Sequence, residues 1–200
     1  MRSLPLLVAA ALTVLACSDF RSINPIADPD EKLEEPGIVG DWVVIPEQGV
    51  VDDDVLFRVR AIADRPGEYR LTEFDSLSNV FRMLVRPTRI GGRLVLDLCT
   101  DTTTALSTDA LPVHTAVFVL SLAPDTIVIT GLQQLRSLLD GGEQVAGLAH
   151  IGLPESGLFG PYSSPVVTAS TAEIRRFLAQ AQALPEALDS TETAKFRRVR

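Results

Sequence analysis

The sequence predicts a mainly β protein: an antiparallel meander forming a barrel or strongly curved sheet, with a short helix near 132–139 and a C-terminal helix near 171–184. Three observations predict it. Four consecutive segments alternate apolar and polar residues with period two, the connections between them carry turn chemistry, and one capped amphipathic helix follows the meander.

The alternation is explicit. Val55, Phe57, Val59 and Ala61 share one face and Arg58 and Arg60 the other. Tyr69, Leu71 and Glu73 alternate with Arg70 and Thr72; Phe81, Met83 and Val85 oppose Arg82 and Arg86. Leu94, Leu96 and Leu98 oppose Arg93 and Asp97, which places Asp97 on the outward face of its strand. Pro66-Gly67, Gly91-Gly92 and Pro124-Asp125 mark turns between strands. The runs Ala116–Leu122 and Ile127–Thr130 are nearly continuous in apolar residues and predict the most buried hairpin.

Leu132, Leu135, Leu138 and Leu139 have helical spacing, and Gly141-Gly142 ends that segment. Residues 141–165 are rich in Gly, Pro and Ser and read as a long loop. Ser170 with Glu173 forms a capping-box pattern, Ile174, Phe177, Leu178 and Ala181 make one apolar stripe, and Pro185 stops the helix. The stripe predicts a helix packed on the sheet. The 185–200 tail ends in Lys195, Arg197, Arg198 and Arg200 and reads as solvated, with no clear strand after the helix.

The N-terminus gives an address. Arg2 precedes the apolar stretch Leu4–Leu15, too short for a membrane-spanning helix, which takes ~20 apolar residues, but suited to a signal-peptide core. Val14-Leu15-Ala16-Cys17 resembles the lipobox of bacterial lipoproteins. That resemblance implies cleavage between Ala16 and Cys17, acylation of Cys17, and a lipid-anchored place in the cell envelope. With Ser18 rather than Asp after the cysteine, it favours the periplasmic face of the outer membrane in a two-membrane cell. More than one acyl chain is needed for stable anchoring, and the lipoprotein anchor carries that many. Residues 17–36 hold six acidic residues and three prolines without apolar periodicity, and read as a disordered tether. One β-rich domain, 37–184, would follow.

Composition excludes some functions. The net charge of −8 argues against nucleic acid, and the 18 basic residues, 16 of them Arg, are scattered along the chain. The sequence holds no His-Glu-x-x-His, Gly-x-Ser-x-Gly or P-loop motif, so no catalytic residue, metal ligand or cofactor is assigned. His114 opens the apolar hairpin beside Asp101 and Asp109 and is a candidate ligand-binding residue; the plainer reading is a strand residue hydrogen-bonded to a neighbour. Cys99 ends an apolar run and reads as buried structure, because Thr100-Asp101 offers no positive charge to activate a thiolate. An enzyme would need His114 gathered with Asp97 or Asp101 in one cleft.

Gly40-Asp41-Trp42 resembles the Gly-x-Trp of lipocalins and related small barrels. The resemblance implies that Trp42 plugs the closed end of a lipocalin-like barrel, and makes it a second candidate ligand-binding residue. The expected function is therefore a membrane-anchored, non-enzymatic binding module for an apolar small molecule or envelope component. The alternative is an accessory lipoprotein docking on another envelope protein. The anchor is directly testable: Cys17→Ser should abolish incorporation of labelled palmitate in a bacterial host, and a variant that still takes up label would refute lipidation there.

Overall fold

The computed structural model describes residues 20–45, 56–74, 80–101, 112–132, 138, 147–151, 165–184, 187–188 and 193–199. Eight antiparallel strands form a closed barrel, lipocalin-like in form: β2 (Gly40–Ile45), β3 (Leu56–Ala61), β4 (Tyr69–Phe74), β5 (Val80–Ile90), β6 (Arg93–Thr100), β7 (His114–Ala123), β8 (Thr126–Thr130) and β11 (Thr193–Arg198). Neighbours pair in chain order from β2 to β8. The ring closes through β11, which pairs β8 from Thr193↔Thr130 to Arg197↔Thr126 and β2 from Lys195↔Ile45 to Arg198↔Trp42.

The period-two pattern decides what faces inward. Phe57, Val59, Tyr69, Met83, Val85, Leu94, Leu98, Val117, Val119, Ile127, Ile129 and Ala194 are buried together inside the barrel with Trp42. The intervening Arg58, Arg60, Arg70 and Arg86 lie outside and ion-pair there with Asp41, Asp101 and Glu68. The expected turns are present. Gly91 and Gly92 both have positive φ, 57° and 82°, as a tight hairpin between β5 and β6 requires. A register shift between Val119 and Ser121 bends β7 as it passes from β6 to β8.

A second core lies on the barrel's outer wall. The helix α1 (Thr171–Ala181) begins at Ser170, whose side chain accepts from the Glu173 amide while Glu173 accepts from the Ser170 amide, as the capping box predicts. Ile174, Phe177, Leu178 and Ala181 are its buried face. They pack on Ile90, Val95, Ala116 and Phe118, outward residues of β5, β6 and β7. Those three strands are therefore apolar on both faces over part of their length, which explains the near-continuous apolar runs in that region.

Two expectations are corrected. The segment placed in a disordered tether packs from Phe20 onward: Phe20, Ile26 and Ala27 are buried, and Phe20 stacks on Phe177 with ring centroids 6.2 Å apart. β1 (Arg21–Ser22) pairs with β7 and, in parallel, with β10 (Val166–Val167), which pairs in turn with β9 (His150–Ile151). The acidic residues that suggested solvation are partly used as ligands. Glu31 accepts from Arg175 at 3.0 Å and from Thr88, and Thr171 donates to the Pro25 carbonyl at 2.8 Å. The tail expected to be solvated is β11. Its alternation, Ala194 and Phe196 inward with Lys195 and Arg197 outward, is short and masked by basic residues. The expected helix at 132–139 lies largely outside the described residues, as do 141–146 and 152–164 of the expected loop, Ala16 and Cys17.

Closure through β11 sets the stability of the barrel. Deleting residues 193–200 should leave β2 and β8 each with an unpaired edge and shift the protein to larger aggregates than the intact chain on size-exclusion chromatography. Phe177→Ala, which empties the outer core beneath α1, should cost about 3–5 kcal/mol in urea unfolding while leaving barrel closure intact.

Candidate functional site

The barrel interior holds an apolar cavity of about 80 Å3. Phe57, Leu96, Val117, Ile127, Ile129 and Phe196 are among its walls, and Trp42 and Ile38 also line it. Phe196, contributed by the unforeseen strand β11, meets Phe57 edge to face at 5.5 Å. An eight-stranded barrel is just wide enough either to fill with side chains or to hold one small ligand. This one is mostly filled.

A 3-10 turn, Pro36–Ile38, leads into β2, and its Ile38 lines the cavity. Trp42, 2 % exposed, donates from Nε1 to the Ile38 carbonyl at 2.9 Å, which ties the ring to the turn. The Arg198 guanidinium lies over the indole, 4.4 Å from the ring, and donates to the carbonyls of Val39 at 2.6 Å and Gly37 at 2.8 Å. A cation on an indole face is held by the ring quadrupole, and the two carbonyls satisfy part of the guanidinium's donor set. A Cβ at Gly40 would sit 2.9 Å from Arg198 Nη1 and 3.3 Å from Trp42 Nε1, so a larger residue there would displace the guanidinium. Asp41 points the other way and binds Arg58 and Arg60, and the Arg58 contact foremost holds its carboxyl below the usual range. Gly40, Asp41 and Trp42 thus approach Arg198 closely, pair with Arg58 and Arg60, and bury an indole against Ile38, in successive residues.

The two candidate ligand residues are not in one site. Trp42 faces the cavity, whereas His114 lies on the outer wall, 6 % exposed, with Nδ1 2.8 Å from Asp97 Oδ1. Asp97 is on the outward face, as its alternation predicts, but the N-terminal segment covers it and leaves it 1 % exposed. Its Oδ2 accepts from the amides of Ile26 at 3.0 Å and Ala27 at 3.1 Å. Asp97 therefore joins β6, β7 and the N-terminal segment through one carboxyl group. Burial pushes the His114 imidazole down, but hydrogen bonds to Asp97 and Cys99, and the attraction of both groups, outweigh it and raise the pKa from 6.5 to about 9. At neutral pH the ring is an imidazolium.

Beside this pair is a pocket of about 200 Å3 whose walls include Leu84, Arg86, Cys99, Thr100 and Pro112. Cys99 is half-buried and is the register partner of His114 across the β6–β7 ladder. The sequence separates the two residues, and only strand pairing brings them together. Arg198 had a readable signal in its period-two spacing from Ala194 and Phe196; Cys99 with His114 had none. Among the described residues no group of three His, Cys, Asp or Glu side chains is placed to hold a metal ion, and no helix is long and apolar enough to cross a membrane.

Compared with protein families, curated proteins and solved structures, the chain matches none. The geometry of these sites is therefore what bears on function.

The His114 pKa makes stability depend on pH. A folded-state value of about 9 against 6.5 means the contribution is complete below pH 6.5 and is lost as the pH rises through 9. The loss is on the order of 3 kcal/mol. The urea midpoint of the wild type should fall between pH 6.5 and 9.5, and that of His114→Gln should be lower at pH 6.5 and nearly flat across the window.

Proposed function

We propose that this chain is a lipid-anchored binding module of the bacterial cell envelope that holds a small apolar molecule, or the apolar end of a larger one, in its barrel. The observation that carries the reading is the cavity lined by apolar strand residues and by Trp42, over whose ring Arg198 lies. Its volume, about 80 Å3, is well below the ~300 Å3 at which pockets enclose a drug-sized molecule. That size suits a short acyl or alkyl segment or a single ring. The drive for entry is removal of apolar surface from water, about 25 cal/mol per Å2, with no polar group to orient the guest. Such a site selects by size and shape.

The anchor in this reading is lipid on Cys17, and the place is the periplasmic face of the outer membrane where the cell has two membranes. Phe20 is docked against α1, so two residues, Ser18 and Asp19, and at most ~11 Å of chain separate the acylated cysteine from the folded body. The barrel would then ride at the membrane surface, where apolar guests are concentrated.

A hydrophobic fluorophore titrated into the full chain tests this. Saturable binding, displaced by a short-chain fatty acid, is expected for the wild type. Val117→Phe, which fills the cavity, should reduce binding at least tenfold with the β circular dichroism spectrum retained. Equal binding by a folded Val117→Phe protein would reject the barrel interior as the site.

A further inference from the structure

We propose that Cys99 is the nucleophile of a second site, on the outside of the barrel, that reduces small hydroperoxides. Three chemistry-bearing side chains meet there for a geometric reason. Asp97 and Cys99 are two residues apart on β6 and so share its outward face, and His114 stands opposite Cys99 on β7. The imidazole is held through Nδ1 by Asp97 at 2.8 Å, and the Cys99 thiol donates to the Thr100 carbonyl at 3.7 Å. Asp97 cannot swing away, because the Ile26 and Ala27 amides hold its other oxygen. It is a positioning residue that fixes the ring.

The half-buried sulfur borders the pocket of about 200 Å3, with Leu84 and Pro112 as apolar walls. Arg86, from β5, and Asp97 also border this pocket; Glu68 is the partner of Arg86 at 2.7 Å. The acid opposite Cys99 is the imidazolium, itself paired with Asp97, and Asp101, two residues on from the cysteine, is paired with Arg70 at 3.4 Å. A thiolate beside an imidazolium has both parts that cleavage of an O–O bond requires, a nucleophile and an acid for the departing oxygen.

In the step, the Cys99 thiolate attacks the terminal oxygen of R–O–OH. The S–O bond forms and the O–O bond breaks. The sulfur is oxidised by two electrons to a sulfenic acid, Cys99–S–OH, and the peroxide is reduced to alkoxide. The alkoxide takes the proton of the His114 imidazolium and leaves as R–OH, with neutral imidazole remaining. Thiolate, peroxide and imidazolium are consumed one for one.

The test uses the full chain and hydrogen peroxide, with sulfenic acid trapped by dimedone and assigned to Cys99 by peptide mass spectrometry between pH 5.5 and 9. The wild type should label at Cys99 roughly tenfold faster than glutathione at pH 7. His114→Gln should lose that advantage, and its rate should climb with pH as for an ordinary thiol, half-maximal near ~8.5. Asp97→Asn should move the profile the same way by a smaller amount, an effect that loss of packing alone does not produce. A wild-type rate equal to that of glutathione and rising with pH in parallel would overturn the proposal, and that arm needs no variant to fold.

Discussion

The strand Thr193–Arg198 carries a double duty that the remaining architecture presupposes: it hydrogen-bonds to β8 on one edge and to β2 on the other. Without it the meander from β2 to β8 is an open sheet with two bare edges, and the apolar inner face has no opposite wall. With it, each strand of the ring is paired on both sides over at least part of its length and the inward residues face one another. The same strand supplies Phe196 to the cavity wall and Arg198 to the face of the Trp42 ring. Closure and the cover over that ring are thus consequences of one segment returning to the barrel after the chain has left it to build β9, β10 and α1.

That excursion answers a second need. The wall made by β5, β6 and β7 is apolar outside as well as inside, and Val95, Ala116 and Phe118 would otherwise be exposed. The helix and the segment from Phe20 cover it from two directions. Arg175 links them to the barrel, donating to Glu31 at 3.0 Å, to Thr88 at 2.6 Å and to the Arg89 carbonyl at 3.2 Å. Asp97 makes the corresponding link from beneath. Burying a carboxyl group is costly unless its oxygens are satisfied, and here two backbone amides and an imidazolium satisfy them.

Strand parity separates the chemistry of the two faces. Along β6, Leu94, Leu96 and Leu98 turn into the barrel while Val95, Asp97 and Cys99 turn out. Along β7, Val117 and Val119 turn in while His114, Ala116 and Phe118 turn out. One residue of register slip would exchange the sets and drive Asp97, Cys99 and His114 into a hydrocarbon interior. The apolar cavity and the polar outer cluster are therefore consequences of the same register, not independent inventions.

How much of this was legible in the residues follows from the range of each interaction. Alternation, hairpin turns and the capping box depend on neighbours within a few positions, so the strands β3 to β8, the Gly91-Gly92 turn and the Ser170–Glu173 cap could be read directly. Gly40-Asp41-Trp42 could be read as the opening of the first barrel strand, where Trp42 is buried in the barrel core. The segment from Phe20 and the strand at 193–198 were misread for a common reason. Their composition is acidic or basic, and local composition says nothing about a distant carbonyl or guanidinium waiting to pair with it. Arg198 on Trp42, Glu31 on Arg175 and Asp97 between His114 and the Ile26 amide all join residues far apart in the chain. The sequence by itself determined a β meander with one amphipathic helix and an inward apolar face. Only the tertiary structure decided that the meander closes, that its termini are structural parts of it, and that a histidine stands across from a cysteine, because strand register is a property of paired chains and not of either strand alone.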